Sequence, residues 1–242
     1  MQTARAIMGQ LEALASGERA RASLRFFKTG PGDYGEGDKF LGVAVPVCRR
    51  MVRPYHASAT RETIVHLLNS PWHEVRFSGL LLLIEKSERA DDAGRAPWAS
   101  LYLENSAAIN NWDLVDVSAP QVLGSVFCDK PLVLRQLACS GNLWEQRMAI
   151  LATWFDIRRG RFSLALSVSR QLLDHPHDLI HKAVGWMLRE VGKRDEPTLC
   201  AFLDQHAASM PRTTLRYAIE RFPTSRRRHY LGLKQHPGNP LL

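Results

Sequence analysis

No apolar run in this chain approaches the ~18 residues that a bilayer crossing needs. The longest, GLLLLI at 79–84, is a third of that. The opening segment, MQTARAIMGQLEALASGE, has charges and helical periodicity but no cationic start followed by an apolar block, so no secretory signal is expected. Cysteine is scarce and scattered. Cys48, Cys128, Cys139 and Cys200 form no CxxC pair, which argues against thiolate-bound zinc and for reduced, mostly buried thiols in a cytoplasmic protein. Neither HExxH nor GxSxG is present. Glycines gather in TGPGDYGEGD at 29–38, but without a GxxxxGK[ST] pattern that stretch reads as a turn-rich connection and not a phosphate cradle. DHPHD at 174–178 offers four possible ligands. Neighbours in a proline-containing turn converge poorly on one ion, so it reads as a helix stop with Asp178 capping the next helix. No metal and no cofactor is expected, and nothing signals an oligomer, so a monomer is expected.

Strand alternation is also missing, and helical patterns occupy almost everything else. The spacing of apolar residues predicts helices over 4–15 and 18–28. Another opens at Pro46, one is capped by Thr60, one runs from Ser70-Pro71 to about Arg89, and one is capped by Asn110 or Asn111. Further helices are predicted over 131–140, 143–158, 161–174, 178–192, 195–206 and 212–222. The fold class is all-α. At 242 residues the chain is long enough for one continuous domain over 1–242, with N-terminal helices 1–28, a glycine-rich loop 29–43 and stacked helical pairs over 46–231.

Charge is distributed unevenly. Residues 1–140 hold 16 Lys and Arg against 15 Asp and Glu, whereas residues 141–242 hold 16 against 9. A one-sided basic excess points to a polyanionic partner such as nucleic acid. The run Arg226-Arg227-Arg228 by itself reads as a solvated helix end. A period accompanies the charge. Arg76, Arg147, Lys182 and Arg216 each begin a small and apolar helical word, and Trp112 takes the corresponding place between Arg76 and Arg147. Spacings of about 35 residues are the mark of stacked helical pairs of the HEAT type. Such a solenoid is curved, and the repeated position would draw a cationic stripe along a basic concave groove.

Trp112 breaks that stripe, and Asp116 lies one turn further along the same face in NNWDLVD. Trp186 is likewise one turn past Lys182. A carboxylate amid cations needs a positive object to face, and so does an indole. An N3- or N7-alkylated purine is such an object. When its glycosidic bond breaks, the base leaves neutral and positive charge moves onto the sugar, where a carboxylate and π-faces stabilise it. Asp116 could also position the attacking water. The competing possibility is that both tryptophans are core residues and Asp116 a solvated or capping residue.

At these residues the chain resembles the AlkD-like DNA alkylation repair glycosylases, most clearly in NNWDLVD, LWEQRMAIL (143–151) and HKAVGWMLREVGKRD (181–195). FLGVAVP (40–46) and MPRTTLRYAIERFP (210–223) look similar too. The resemblance implies a HEAT-like fold and base excision of cationic alkylpurines, of the 3-methyladenine and 7-methylguanine type, from double-stranded DNA. It implies that Asp116 is the catalytic carboxylate and that Trp112 and Trp186 are the aromatic residues packed against the lesion's sugar. Arg147 and Arg189 would then be backbone contacts, with Lys182, Arg76 and Arg216 completing the DNA-binding set. Asn111 stands where some relatives carry a second aromatic, Phe26 where a tyrosine can occur, and the loop at 29–38 looks longer than in the best-known members. Some relatives bind DNA without cutting, so a non-catalytic HEAT-type module for DNA or a protein partner stands as the alternative.

Overall fold

The computed structural model describes residues 2–233. Among them all regular structure is helical, and one isolated bridge pairs Lys39 with Trp72. No helix among the described residues is long and apolar enough to cross a membrane. The chain divides into two compact units, the first ending at Val126 and the second beginning at Phe127.

The first unit holds α1 (Gln2–Ala13), α2 (Gly17–Phe26), α3 (Val45–Val52), α4 (Arg61–Leu68), α5 (His73–Arg89), α6 (Asp92–Glu104) and α7 (Trp112–Val122). The short α8 (Gly124–Phe127) lies at the division. Helix α5 is its axis. Every residue from His73 to Leu83 is buried, and α1, α3, α4, α6 and α7 pack around it. A helix buried on all sides must be central, since any solvent-facing stripe would be polar. Each fully buried leucine here, Leu80, Leu82 and Leu83 among them, contributes roughly 1.5–3 kcal/mol.

The polar residues of α5 therefore need partners inside the protein. Glu74 finds three: its carboxylate accepts the backbone N–H groups of Leu41, Gly42 and Val43 at 2.9, 2.8 and 3.1 Å. Gly42 has φ +77°, and a Cβ there would lie 2.3 Å from the Ser16 carbonyl oxygen, so only glycine fits the clasp. The glycine-rich stretch before it is a succession of turns, closed at its neck where the Gly35 N–H donates to the Lys28 carbonyl at 3.1 Å.

In the second unit α9 (Pro131–Ala138), α10 (Leu143–Ala152), α11 (Trp154–Ile157), α12 (Ser163–Gln171), α13 (Asp178–Gly192), α14 (Glu196–His206), α15 (Arg212–Ala218) and α16 (Thr224–Gly232) follow in order. Helix α13 is central, with α10, α11, α12, α14 and α15 against it. Its buried stripe Ile180, Ala183, Val184, Met187, Leu188 and Val191 has the spacing of one helix face. Gly185 lets α15 approach: a Cβ there would meet the Cβ of Tyr217 at 2.5 Å and the Thr214 carbonyl oxygen at 2.6 Å. Gly185→Ala is therefore expected to destabilise the protein by about 3 kcal/mol, the upper end of overpacking, and to lower Tm by several degrees in a thermal melt. An unchanged Tm would deny the close approach.

Several sequence expectations are corrected at this level. The predicted helix 143–158 is broken at Thr153, whose hydroxyl donates to the Ile150 carbonyl at 2.6 Å and competes with the helical ladder. The pattern over 161–174 narrows to α12, and that over 212–222 stops at Ala218. Helix α6 went unforeseen because Pro97 lies inside it; the Asp91 side chain caps it from the Gly94 N–H. The helix expected from Ser70-Pro71 begins only at His73: the Ser70 hydroxyl oxygen accepts from the Trp72 N–H at 3.2 Å, ahead of α5. Asp178 does not cap α13 either, because the His177 ring takes the Leu179 N–H. Thr60 caps α4, and Asn111, of the two candidates, caps α7. Of the four free cysteines only Cys48 is buried, which pushes its thiol up to about 12; Cys139 is exposed. Arg226, Arg227 and Arg228 sit exposed in the body of α16 and not at a helix end.

Candidate functional site

The start of α7 is held from three directions. The buried Asn111 accepts the Trp112 N–H at 2.9 Å and donates its side-chain amide to Asp38 at 3.0 Å. Asp113 accepts the Leu114 N–H through Oδ1 at 2.9 Å, and its Oδ2 lies 2.9 Å from His73 Nε2. On the far side of the imidazole, Nδ1 lies 2.7 Å from Asp38 Oδ2. Asp38 therefore serves Asn111, His73 and, through Oδ1, Arg76 at 2.7 Å. Helix α7 begins where it does because α5 and the segment ending the glycine-rich loop dictate where its first polar side chains find partners.

These contacts set the charge states. Burial by itself would push the His73 imidazole down, but hydrogen bonds and charge from Asp113 and Asp38 outweigh it and lift the group to about 9. Burial would likewise raise the Asp38 carboxyl, yet His73 and then Arg76 overcome it and hold the acid at about 2.

The same framework stacks aromatic rings. Phe27 lies over Phe40 at 4.9 Å and over Trp112 at 5.3 Å, both near-parallel. His73 packs on Phe40 at 4.5 Å and on Phe27 at 5.0 Å. Phe26 stands edge-on to Trp112 at 5.7 Å and is 65% exposed. An open cleft of about 480 Å³ results, with Phe26, Phe27, Phe77, Val45, Trp112 and Val117 as apolar walls and Asp113, Asp116 and Arg49 as its charges. Trp112 and Asp116 are both half-buried and face this cleft together, as their four-residue spacing requires. An aromatic hollow with carboxylates at its edge is suited to an organic cation.

Arg76 is the plain correction among the expected DNA contacts. It is 5% exposed. Nε donates to the Ala108 carbonyl, Nη1 to the carbonyls of Ser70 and Pro71, and Nη2 to Asp38 and Asn110. All five N–H groups of a guanidinium are thereby used, and none is left for a phosphate.

In the second unit Arg147 is also 5% exposed and donates to the Leu179 carbonyl, tying α10 to α13. The side chain expected at 147 as a backbone contact is buried and tethers these two helices. Trp186 is half-buried on α13. Lys182 is 40% exposed at its side chain and pairs with Asp178 at 2.7 Å. Arg189 pairs with Glu220, and Arg216 is exposed on α15. The expected stripe of equivalent cations is therefore not uniform: its first and third positions are interior, its fourth and fifth are not. His175 lies 2.9 Å from Gln146 and His181 bonds to the His175 carbonyl. Among the described residues no group of three His, Cys, Asp or Glu side chains could hold a metal ion.

Sequence reasoning missed Asp38, His73, Phe27 and Phe40 as parts of one assembly. No local pattern announces it, because contacts such as that of Asp38 with Asn111 join residues 73 positions apart.

A sequence model of the family described as DNA alkylation repair enzyme matches residues 7–222. A solved structure, "Predicted DNA alkylation repair enzyme from Enterococcus faecalis", is similar with a TM-score of 0.67 and 14% identity, over 87% of this chain and 97% of that one. At that identity the structural likeness speaks for the fold alone. No curated protein matches the chain.

Proposed function

This chain belongs to the DNA alkylation repair enzyme family, and from that membership we propose that it is a DNA glycosylase hydrolysing the N-glycosidic bond of cationic N3- or N7-alkylpurines. The observation that carries this reading is the shared cleft of Trp112 and Asp116, walled by aromatic rings and open to solvent. An alkylated purine is cationic before its bond breaks and neutral afterwards. The departing base therefore needs no general acid, and the positive charge that appears on the sugar needs an anion and a π-face. Asp116 supplies the first and Trp112 the second. Water adds to the anomeric carbon, the base leaves with the bonding electrons, and the water's proton passes to Asp116 or to solvent.

Double-stranded DNA is the partner this reading requires. The second unit's half-buried Trp186 and its accessible Lys182 and Arg216 are the side chains proposed to meet it, with Arg189 adding charge beside Glu220. Phosphate contacts of this kind give salt-dependent affinity with little sequence preference. The test is direct. Incubation with methylated duplex DNA is expected to release free 7-methylguanine well above the rate of spontaneous depurination, read by chromatography of the supernatant. Binding to the same DNA without base release would leave a non-catalytic module in its place.

A further inference from the structure

Two carboxylates, Asp113 and Asp116, line one cleft three residues apart on α7, close enough to repel and to compete for the same cation. We infer that His73 is a positioning residue that binds the Asp113 charge to the protein, so that Asp116 alone meets the reacting sugar. This rests on the proposed role of Asp116.

The geometry carries it. Each imidazole nitrogen points at a carboxylate, Nδ1 at Asp38 (2.7 Å) and Nε2 at Asp113 (2.9 Å). A neutral imidazole has one N–H and would leave one carboxylate facing a lone pair; the doubly protonated ring satisfies both. The ring cannot swing away, because it is 3% exposed and packed on Phe40 and Phe27. Asp38 is held in turn by Arg76 and Asn111. Asp113, with one oxygen on the helix's own Leu114 N–H and the other on His73, is fixed at the cleft's rim. The lift of His73 to about 9 keeps the arrangement charged through neutral pH.

His73 faces Asp38 from the loop and Asp113 from α7, with Arg76 of its own helix behind Asp38. Asp116 shares the cleft with Asp113 and with Arg49 of α3, and its charge reaches the buried Tyr102 of α6.

The experiment titrates the Asp116 carboxyl carbon by NMR, using 13C-labelled aspartate, in the wild type, His73→Gln and His73→Gln/Asp113→Asn. In the single variant Asp113 loses its counter-charge, and the Asp116 midpoint is expected to rise by about 1 pH unit, the scale of a like charge one turn away in a partly wet site. The double variant removes that charge and should return the midpoint to the wild-type value. A midpoint that does not move in His73→Gln, or that the second substitution does not return, overturns the inference. Should His73→Gln fail to fold, the His73 ring nitrogens decide, followed with 15N-labelled histidine: the ring should stay doubly protonated through neutral pH in the wild type and its midpoint should fall in Asp113→Asn, and a midpoint that does not fall overturns the inference. The acid limb of base release should track the same shifts, whereas loss of packing alone would lower activity equally at every pH. NMR shifts as expected in a protein that releases no base would uphold the role of His73 and remove the glycosylase assignment.

Discussion

Asp116→Asn is expected to slow release of 7-methylguanine by at least about 100-fold, the scale on which a group aimed at developing charge acts. DNA affinity should stay the same or improve. The amide keeps the shape of the carboxylate and its place in the cleft beside Trp112, so binding geometry is preserved while the anion proposed to meet the sugar is lost. Removing a negative charge from a surface that meets a polyanion also favours association. Single-turnover excision and fluorescence anisotropy on the same methylated duplex separate the two effects. A fall in rate with affinity retained places the loss in the transition state. Wild-type rates in the variant would take Asp116 out of the mechanism, and a parallel loss of both would recast it as a binding residue.

The largest effect on stability is expected at Asp38, which lies 7% exposed at the junction of His73, Arg76 and Asn111. Asp38→Ala leaves a guanidinium and an imidazolium buried without their shared counter-ion, and breaking such a pair costs about 3–5 kcal/mol. The pH dependence has a definite sign. Asp38 is held below its ordinary value of 3.8, so its contribution is fully present above that pH and lost as pH falls toward about 2. His73 is held above its ordinary 6.5, so its contribution is complete below that pH and lost as pH rises through about 9. The network is thus strongest between roughly pH 4 and 6.5. Denaturant melts of wild type and variant should differ most there and less at pH 9.5, where His73 has lost most of its charge. A gap that is the same at both pH values would mean that Asp38 acts without His73.

Much of this was legible in the sequence where the physics is local. The caps at Thr60 and Asn111 are read from side chains that reach three residues and one residue ahead. The common outlook of Trp112 and Asp116 is a property of helical spacing. The all-α class followed from periodicity alone. Where reasoning failed, the deciding partner lay far along the chain. A basic residue at the head of an apolar word looks the same whether it faces solvent, as Arg216 does, or is buried and feeds five acceptors, as Arg76 does. The burial of Arg147 was equally illegible, its acceptor being the carbonyl of Leu179 on another helix. Asp113 sat in plain view inside the most informative word of the sequence. Its engagement depends on His73, 40 positions earlier, in a stretch that reads simply as the start of a core helix.

The neck between Lys28 and Gly35 bears on how this chain can vary among its kin. Before it, Phe27 is pinned in the ring stack; after it, Asp38 and the amides of 41–43 are pinned by α5. The intervening turns hang like a span between two fixed piers. Residues added or deleted in 29–34 change the length of the span and leave the piers standing, since a longer surface loop costs little closure entropy. Changes of length in that stretch are thus expected to leave the framework of the cleft in place.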